Sequence, residues 1–156
     1  LVFFLLISFN SNADDLVIVD IDYILTNSKI GKSTNTNLQN SKKKMLDNFK
    51  KQETKFRESE KQVLSKKNIL SEDEFKKEIK KLKDEVGTYR DKKKKTLDDY
   101  RVKREKEYTK LYKKINDILI EYSKKNNIKT VIDKKYVLIS KAETDITKQI
   151  IKLVDN

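Results

Sequence analysis

Apolar residues are patterned in two ways along this chain. Residues 16–21 (LVIVDI) form a short β-branched run that suits a buried strand. Residues 130–133 and 136–140 are two more such runs on either side of Lys134-Lys135, close enough to predict a β-hairpin. From about residue 34 to residue 125 the pattern is helical: proline is absent and Gly87 is the single glycine. Leu38, Met45, Leu46, Phe49, Phe56, Val63 and Leu64 give a sparse stripe in which Phe49, Phe56 and Val63 recur every seven residues, a narrow seam rather than a broad core face. Phe75, Ile79, Leu82, Val86 and Tyr89 step by four and three, a heptad seam. It resumes at Tyr108 or Leu111, then Ile115, Ile118 and Tyr122, after an interruption at Lys92 to Lys95.

Ser71-Glu72-Asp73-Glu74 has the S-x-x-E form of a capping box and marks a helix start, so the pattern predicts a chain reversal near residues 66–71. Two narrow seams folded back on each other bury their few apolar residues mutually, which predicts an antiparallel coiled-coil hairpin. Arms of roughly 50 and 80 Å follow from 1.5 Å per residue, with the excess of the second lying along a body. Thr144-Asp145 is placed to cap a last amphipathic helix through Leu153, with Ile146, Ile150 and Leu153 on one face. Three strands of this length make too small a sheet to stand alone; flanking helices or other copies of the chain must cover them.

Composition sharpens this picture. Charged residues are 40% of the 156 and the hydrophobic class 36%, so much of the chain stays solvated on long exposed helices. There is no His or Cys, which removes thiol nucleophiles, imidazole bases and most zinc or transition-metal sites, and no phosphate loop or paired acid and base replaces them. The chain reads as a non-enzyme with no cofactor or metal. Residues 42–114 hold 27 Lys and Arg against 15 Asp and Glu, which is the whole net charge of +12. Such a field attracts acidic polypeptides, anionic lipid head groups or nucleic-acid phosphates, although no nucleic-acid-binding motif is present.

Residues 1–9 (LVFFLLISF) followed by Ser11-Asn12-Ala13 look like the apolar core and cleavage site of a signal peptide over residues 1–13. The run is too short to span a hydrocarbon core needing about 20 residues. The chain opens on Leu rather than Met, so a basic segment of such a signal, or further apolar residues, would be expected upstream.

Val17-Ile18-Val19-Asp20 with Ile24-Leu25, Ser28 and Gly31-Lys32, and Ile128 to Asp133, residues 136–140 and Asp145-Ile146-Thr147 at the other end, resemble the two ends of the Skp/OmpH family of periplasmic chaperones. The likeness extends over nearly all of residues 14–156. It implies an α+β, mostly α fold: a long antiparallel helical hairpin (residues 34–125) projecting like a tentacle from a small β-sheet body (residues 14–33 and 126–156) completed by trimerisation. It also implies an ATP-independent holdase that binds unfolded outer-membrane β-barrel proteins in the periplasm. Partners would be these clients, two further copies of the chain, and anionic lipid or lipopolysaccharide, with no nucleic acid. The expected trimer body comprises Leu16, Val17, Ile18, Val19, Ile21, Val131, Ile132, Val137, Leu138 and Ile139. Phe49, Phe56, Phe75, Tyr89, Tyr100 and Lys92, Lys93, Lys94 and Lys95 are candidate client contacts, although heptad spacing favours seam packing for the aromatics. The rival readings are a structural coiled-coil protein of the envelope and a binder of anionic lipid surfaces.

Overall fold

The computed structural model describes residues 16–156, so the expected signal peptide lies outside the described residues. The chain forms two compact units, residues 34–108 and the body of residues 16–33 and 109–156.

In the body, strand β1 (Leu16–Val19) pairs in parallel with β2 (Thr130–Asp133), Val17 opposite Val131 and Ile18 opposite Ile132. Val17, Ile18 and Val19 are all buried, which is why β1 reads as an unbroken apolar run rather than an alternating one. Asp20 ends β1 and caps helix α1 (Ile21–Asn27), its carboxylate accepting from Tyr23 N–H at 2.8 Å. Ile21 therefore belongs to a helix and not to the strand expected over residues 16–21. Ser28 breaks the path with an extended backbone, and its hydroxyl, wholly buried, accepts from Gly31 N–H at 3.1 Å. Helix α2 (Lys29–Ser65) starts there, earlier than the pattern around residue 34 suggested. Helix α3 (Glu72–Lys125) ends with Asn127 in the left-handed region (φ 54°) and Ile128 N–H bonded to the Ser123 carbonyl at 3.0 Å, a Schellman-type stop.

Helix α4 (Thr147–Val154) closes the body. The core is Val17, Val19, Ile24, Leu25, Leu111, Ile115, Ile146, Ile150 and Val154, with Ile118, Tyr122 and Val131 packed against it. The body boundary expected at residue 125 thus moves to 108: Leu111 and Ile115 of α3 are core residues of the body. The expected buried face of the last helix is also corrected. Ile146 and Ile150 are buried, but the next buried position is Val154, a step of four on, whereas Leu153 is turned outward and 42% exposed.

The third strand and its hairpin do not form. After β2 the Asp133 carboxylate accepts from Lys135 N–H and caps a 3-10 turn over Lys134–Tyr136, and Val137 N–H bonds back to the Lys134 carbonyl at 3.0 Å. The chain has turned before residues 136–140 can pair with β2. The other edge of β1 is occupied by Ile146, whose N–H reaches the Ile18 carbonyl at 2.9 Å. β-Propensity without an edge to pair with does not make a strand.

Asp145 holds this corner together. It accepts from the N–H and hydroxyl of Thr147 and forms an ion pair with Lys134 at 2.7 Å. Partial burial pushes its carboxyl up, but the Lys134 ammonium and the two Thr147 bonds outweigh this and hold it below the usual carboxylate value. The folded value is lower than the unfolded one, so the resulting stabilisation is full above the ordinary aspartate range and is lost as pH falls through the depressed value. Asp145→Asn is expected to cost about 1 kcal/mol at neutral pH. In thermal melts the gap between the two proteins should close in acid; a constant gap would rule out this linkage.

Candidate functional site

Residues 34–108 form an antiparallel hairpin, because partners on α3 rise as those on α2 fall: Tyr89 with Phe49, Tyr100 with Leu38, Tyr108 with Asn35. At the reversal, α2 ends at Ser65 and α3 starts at Glu72. Ser71 and Glu74 form a reciprocal capping box, Ser71 N–H donating to the Glu74 carboxylate at 3.0 Å and Glu74 N–H to the Ser71 hydroxyl at 3.4 Å. The Ser71 bonds hold the Glu74 carboxyl below its ordinary value.

The seam of α3 runs without a gap. Phe75, Ile79, Leu82, Val86, Tyr89, Lys93, Thr96 and Tyr100 keep the four-three rhythm and are all half-buried, so the lysine run does not interrupt the packing as expected. Lys93 occupies a seam position as a cation. Its ammonium donates to Glu53 of α2 at 2.6 Å and stands 5.3 Å from the centre of the Phe49 ring. The hydrogen bond from Lys93 lowers the Glu53 carboxyl, and the same bond raises the Lys93 ammonium. Desolvation followed by the Glu53 charge raises the Tyr89 hydroxyl. Both partners of the pair are more than a third exposed, so it fixes register more than it stabilises.

Two tyrosines reach across to the backbone of α2: Tyr89 Oη donates to the Phe49 carbonyl and Tyr100 Oη to the Leu38 carbonyl, both at 3.2 Å. Leu38 and Phe49, like Tyr89 and Tyr100, are eleven residues apart. Eleven residues make three helical turns, which returns each group to the same side without a strong supercoil. Among the described residues no buried side-chain nitrogen or oxygen lacks a partner, so the polar groups in this thin seam are satisfied.

The aromatic candidates are thus spent on the hairpin itself. Phe49 is buried, and Phe56 packs on Tyr89 with ring centres 5.2 Å apart. Phe75, Tyr89 and Tyr100 are half-buried in the seam, whereas Lys92, Lys94 and Lys95 are exposed. Leu46 and Leu64, expected in the seam stripe, are instead turned outward, and with Ile69, Leu97 and Val102, which the sequence reading did not single out, they are all more than 40% exposed. The clue was available for Leu46 and Leu97: each falls just off a seam that Met45 and Thr96 keep in phase. In the body, Val17, Ile18 and Val19 are buried and Val131, Ile132 and Val137 partly so; Leu16 is 45% exposed, and Leu138 and Ile139 are fully exposed outside any strand. Residues 34–108 carry 24 Lys and Arg against 15 Asp and Glu, a net of +9. Among the described residues no group of His, Cys, Asp and Glu is placed to hold a metal ion, and no helix is long and apolar enough to cross a membrane.

A long, charged antiparallel hairpin joined in sequence to a minimal parallel sheet defines an α+β class of mostly helical proteins. The family model for outer membrane proteins of the OmpH-like type matches residues 15–154, and the chain belongs to that family. A solved structure from Caulobacter crescentus, described as a candidate outer membrane chaperone (OmpH-like), is similar in fold: TM-score 0.85, 15% sequence identity, covering 90% of this chain and 83% of that one. Among curated proteins none matches the sequence.

Proposed function

We propose that this chain is an ATP-independent holdase chaperone of the periplasm that binds unfolded outer-membrane β-barrel proteins and keeps them from aggregating before insertion. Membership of the OmpH-like family over residues 15–154 carries this reading, and the structure of similar fold is itself described as a candidate chaperone. The chain's own chemistry supports it. A net charge of +9 on the hairpin draws acidic unfolded chains from a distance, and exposed aliphatic side chains supply weak contacts on arrival. Export would follow from the signal-like residues 1–13.

Client holding in this account is done by a homotrimer. What supports assembly is a sheet of two four-residue strands, marginal by itself, beside the fully exposed Leu138 and Ile139. Several hairpins touching one client convert weak individual contacts into tight holding. Anionic lipid or lipopolysaccharide is a second ligand class that the same positive charge would attract.

The electrostatic part has a direct test. Raising salt from about 0.1 M to about 1 M shortens the Debye length from roughly 10 Å to roughly 3 Å. The affinity for a denatured barrel protein, followed by fluorescence, is expected to fall several-fold over that range. An affinity indifferent to salt would remove charge from the mechanism.

A further inference from the structure

We propose that the hairpin meets its clients through the face bearing Leu46, Leu64 and Leu97, and that this face takes extended polypeptide segments in which apolar residues are interspersed with Asp or Glu. The proposal rests on the holdase reading and deepens it by assigning the contact surface.

The Glu53–Lys93 bridge joins α2 to α3 at a seam position and fixes the register from which the other positions are counted. Leu46 lies seven residues before Glu53 and Leu97 four residues after Lys93, and at 3.6 residues per turn both spacings return to the same side of their helices. They are also level with each other, because the cross-helix pairs Ser41–Lys103 and Glu53–Lys93 bracket both. Leu64 is eighteen residues, or five full turns, beyond Leu46, which sets it on the same line about 27 Å further along. The three leucines are 47%, 52% and 42% exposed. About half of their apolar surface is therefore left uncovered by the hairpin's own packing.

Cations surround them. Lys42, Lys43 and Lys50 lie within about one turn of Leu46, and Lys94 and Arg101 within one turn of Leu97. Of these only Arg101 comes within 4 Å of a carboxylate, Asp98 at 3.6 Å. Among the described residues the four lysines have no ion-pair partner. Next to Leu46 and Leu97 apolar and cationic groups so alternate every three or four residues, about 4.5 to 6 Å, close to the roughly 6.6 Å between same-side residues of an extended chain, while Glu53 and Glu60 lie on this side between Lys50 and Leu64. A wholly apolar segment would leave the lysines unmatched and a wholly acidic one would leave the leucines in water, so the mixed segment is the best partner. On the other side of the seam the open groove between the helices is lined by Gln52, Lys55, Phe56, Ser59 and Lys81, and its aromatic is already packed on Tyr89.

A photo-crosslinking amino acid at position 46 or 97, or on the opposite side at 55 or 81, would be tested with a urea-denatured outer-membrane barrel protein on dilution. Crosslinks are expected at 46 and 97. The Leu46→Ser/Leu97→Ser double variant is expected to bind the client about tenfold more weakly, while keeping its helical circular dichroism and melting only a few degrees lower. Crosslinks confined to 55 and 81, or a double variant of unaltered affinity, would overturn the assignment of the face while leaving the holdase reading intact. A wild-type chain that neither crosslinks to the client nor keeps it soluble would overturn that reading, and the face with it.

Discussion

Gly31→Ala is expected to destabilise the protein by about 3 kcal/mol, although it replaces a glycine inside a helix with the best helix former. A Cβ at Gly31 would fall on the Leu25 carbonyl, 2.8 Å from its carbon and 2.9 Å from the Ser28 hydroxyl oxygen. Most of the obstruction is backbone, which no side-chain rotation relieves. α1 would have to move away from the start of α2, and Leu25 and Ile24 are core residues. Ser28 would be disturbed as well, and with it the bond that satisfies Gly31 N–H. Gly87 is the control. Nothing lies within 4 Å of a Cβ built there, so Gly87→Ala should stabilise the hairpin by up to about 1 kcal/mol through helix propensity alone. Chemical denaturation of the two variants checks both signs; a stabilising Gly31→Ala would show that α1 and α2 do not approach as described.

The second large effect is expected at Ile150, which is completely buried at the centre of the α4 face. Ile150→Ala removes three carbons from a core of only nine buried side chains and should cost about 2–5 kcal/mol. That is a large share of the stability of any small domain. The other ties of helix α4 include the buried Val154 and three hydrogen bonds: Asp20 N–H donates to the Thr147 hydroxyl at 2.8 Å, Lys114 donates to the Val154 carbonyl at 2.8 Å, and the Asp155 carboxylate accepts from Lys29 N–H at 2.7 Å. Loss of the apolar anchor should therefore free the helix in hydrogen exchange before the rest of the body opens. A loss below about 1 kcal/mol would mean that this core is not what holds the body.

Much of the fold was legible because local and long-range signals agree in these residues. Ser71 and Glu74 mark the reversal at short range, and Phe49, Phe56 and Val63 repeat at the period their packing needs. β1 was read from β-branched residues that turn out to be buried on both faces. Failures came where the outcome depended on a partner distant in sequence. Tyr136 to Ser140 has strand composition, but whether it pairs depends on which edges remain free, and Ile146 has taken one of them. Lys93 looked like a break because composition is blind to a carboxylate forty residues away, where Glu53 makes a cation acceptable in the seam. Phe49, Tyr89 and Tyr100 stand out in a lysine-rich chain, and their heptad spacing already favoured seam packing; their rings and hydroxyls serve the partner helix. Leu46 was read into the seam and Leu97 was not singled out, because which apolar residue of a neighbouring pair turns inward depends on the register of the hairpin.

The most direct measurement is light scattering after a denatured outer-membrane barrel protein is diluted into buffer, with and without residues 14–156 of this chain and with no nucleotide present. The account predicts that a modest molar excess keeps the client in solution and that the pair co-sediments as a defined complex. Aggregation at the rate seen with buffer alone, from a chain that is folded and helical, would contradict it.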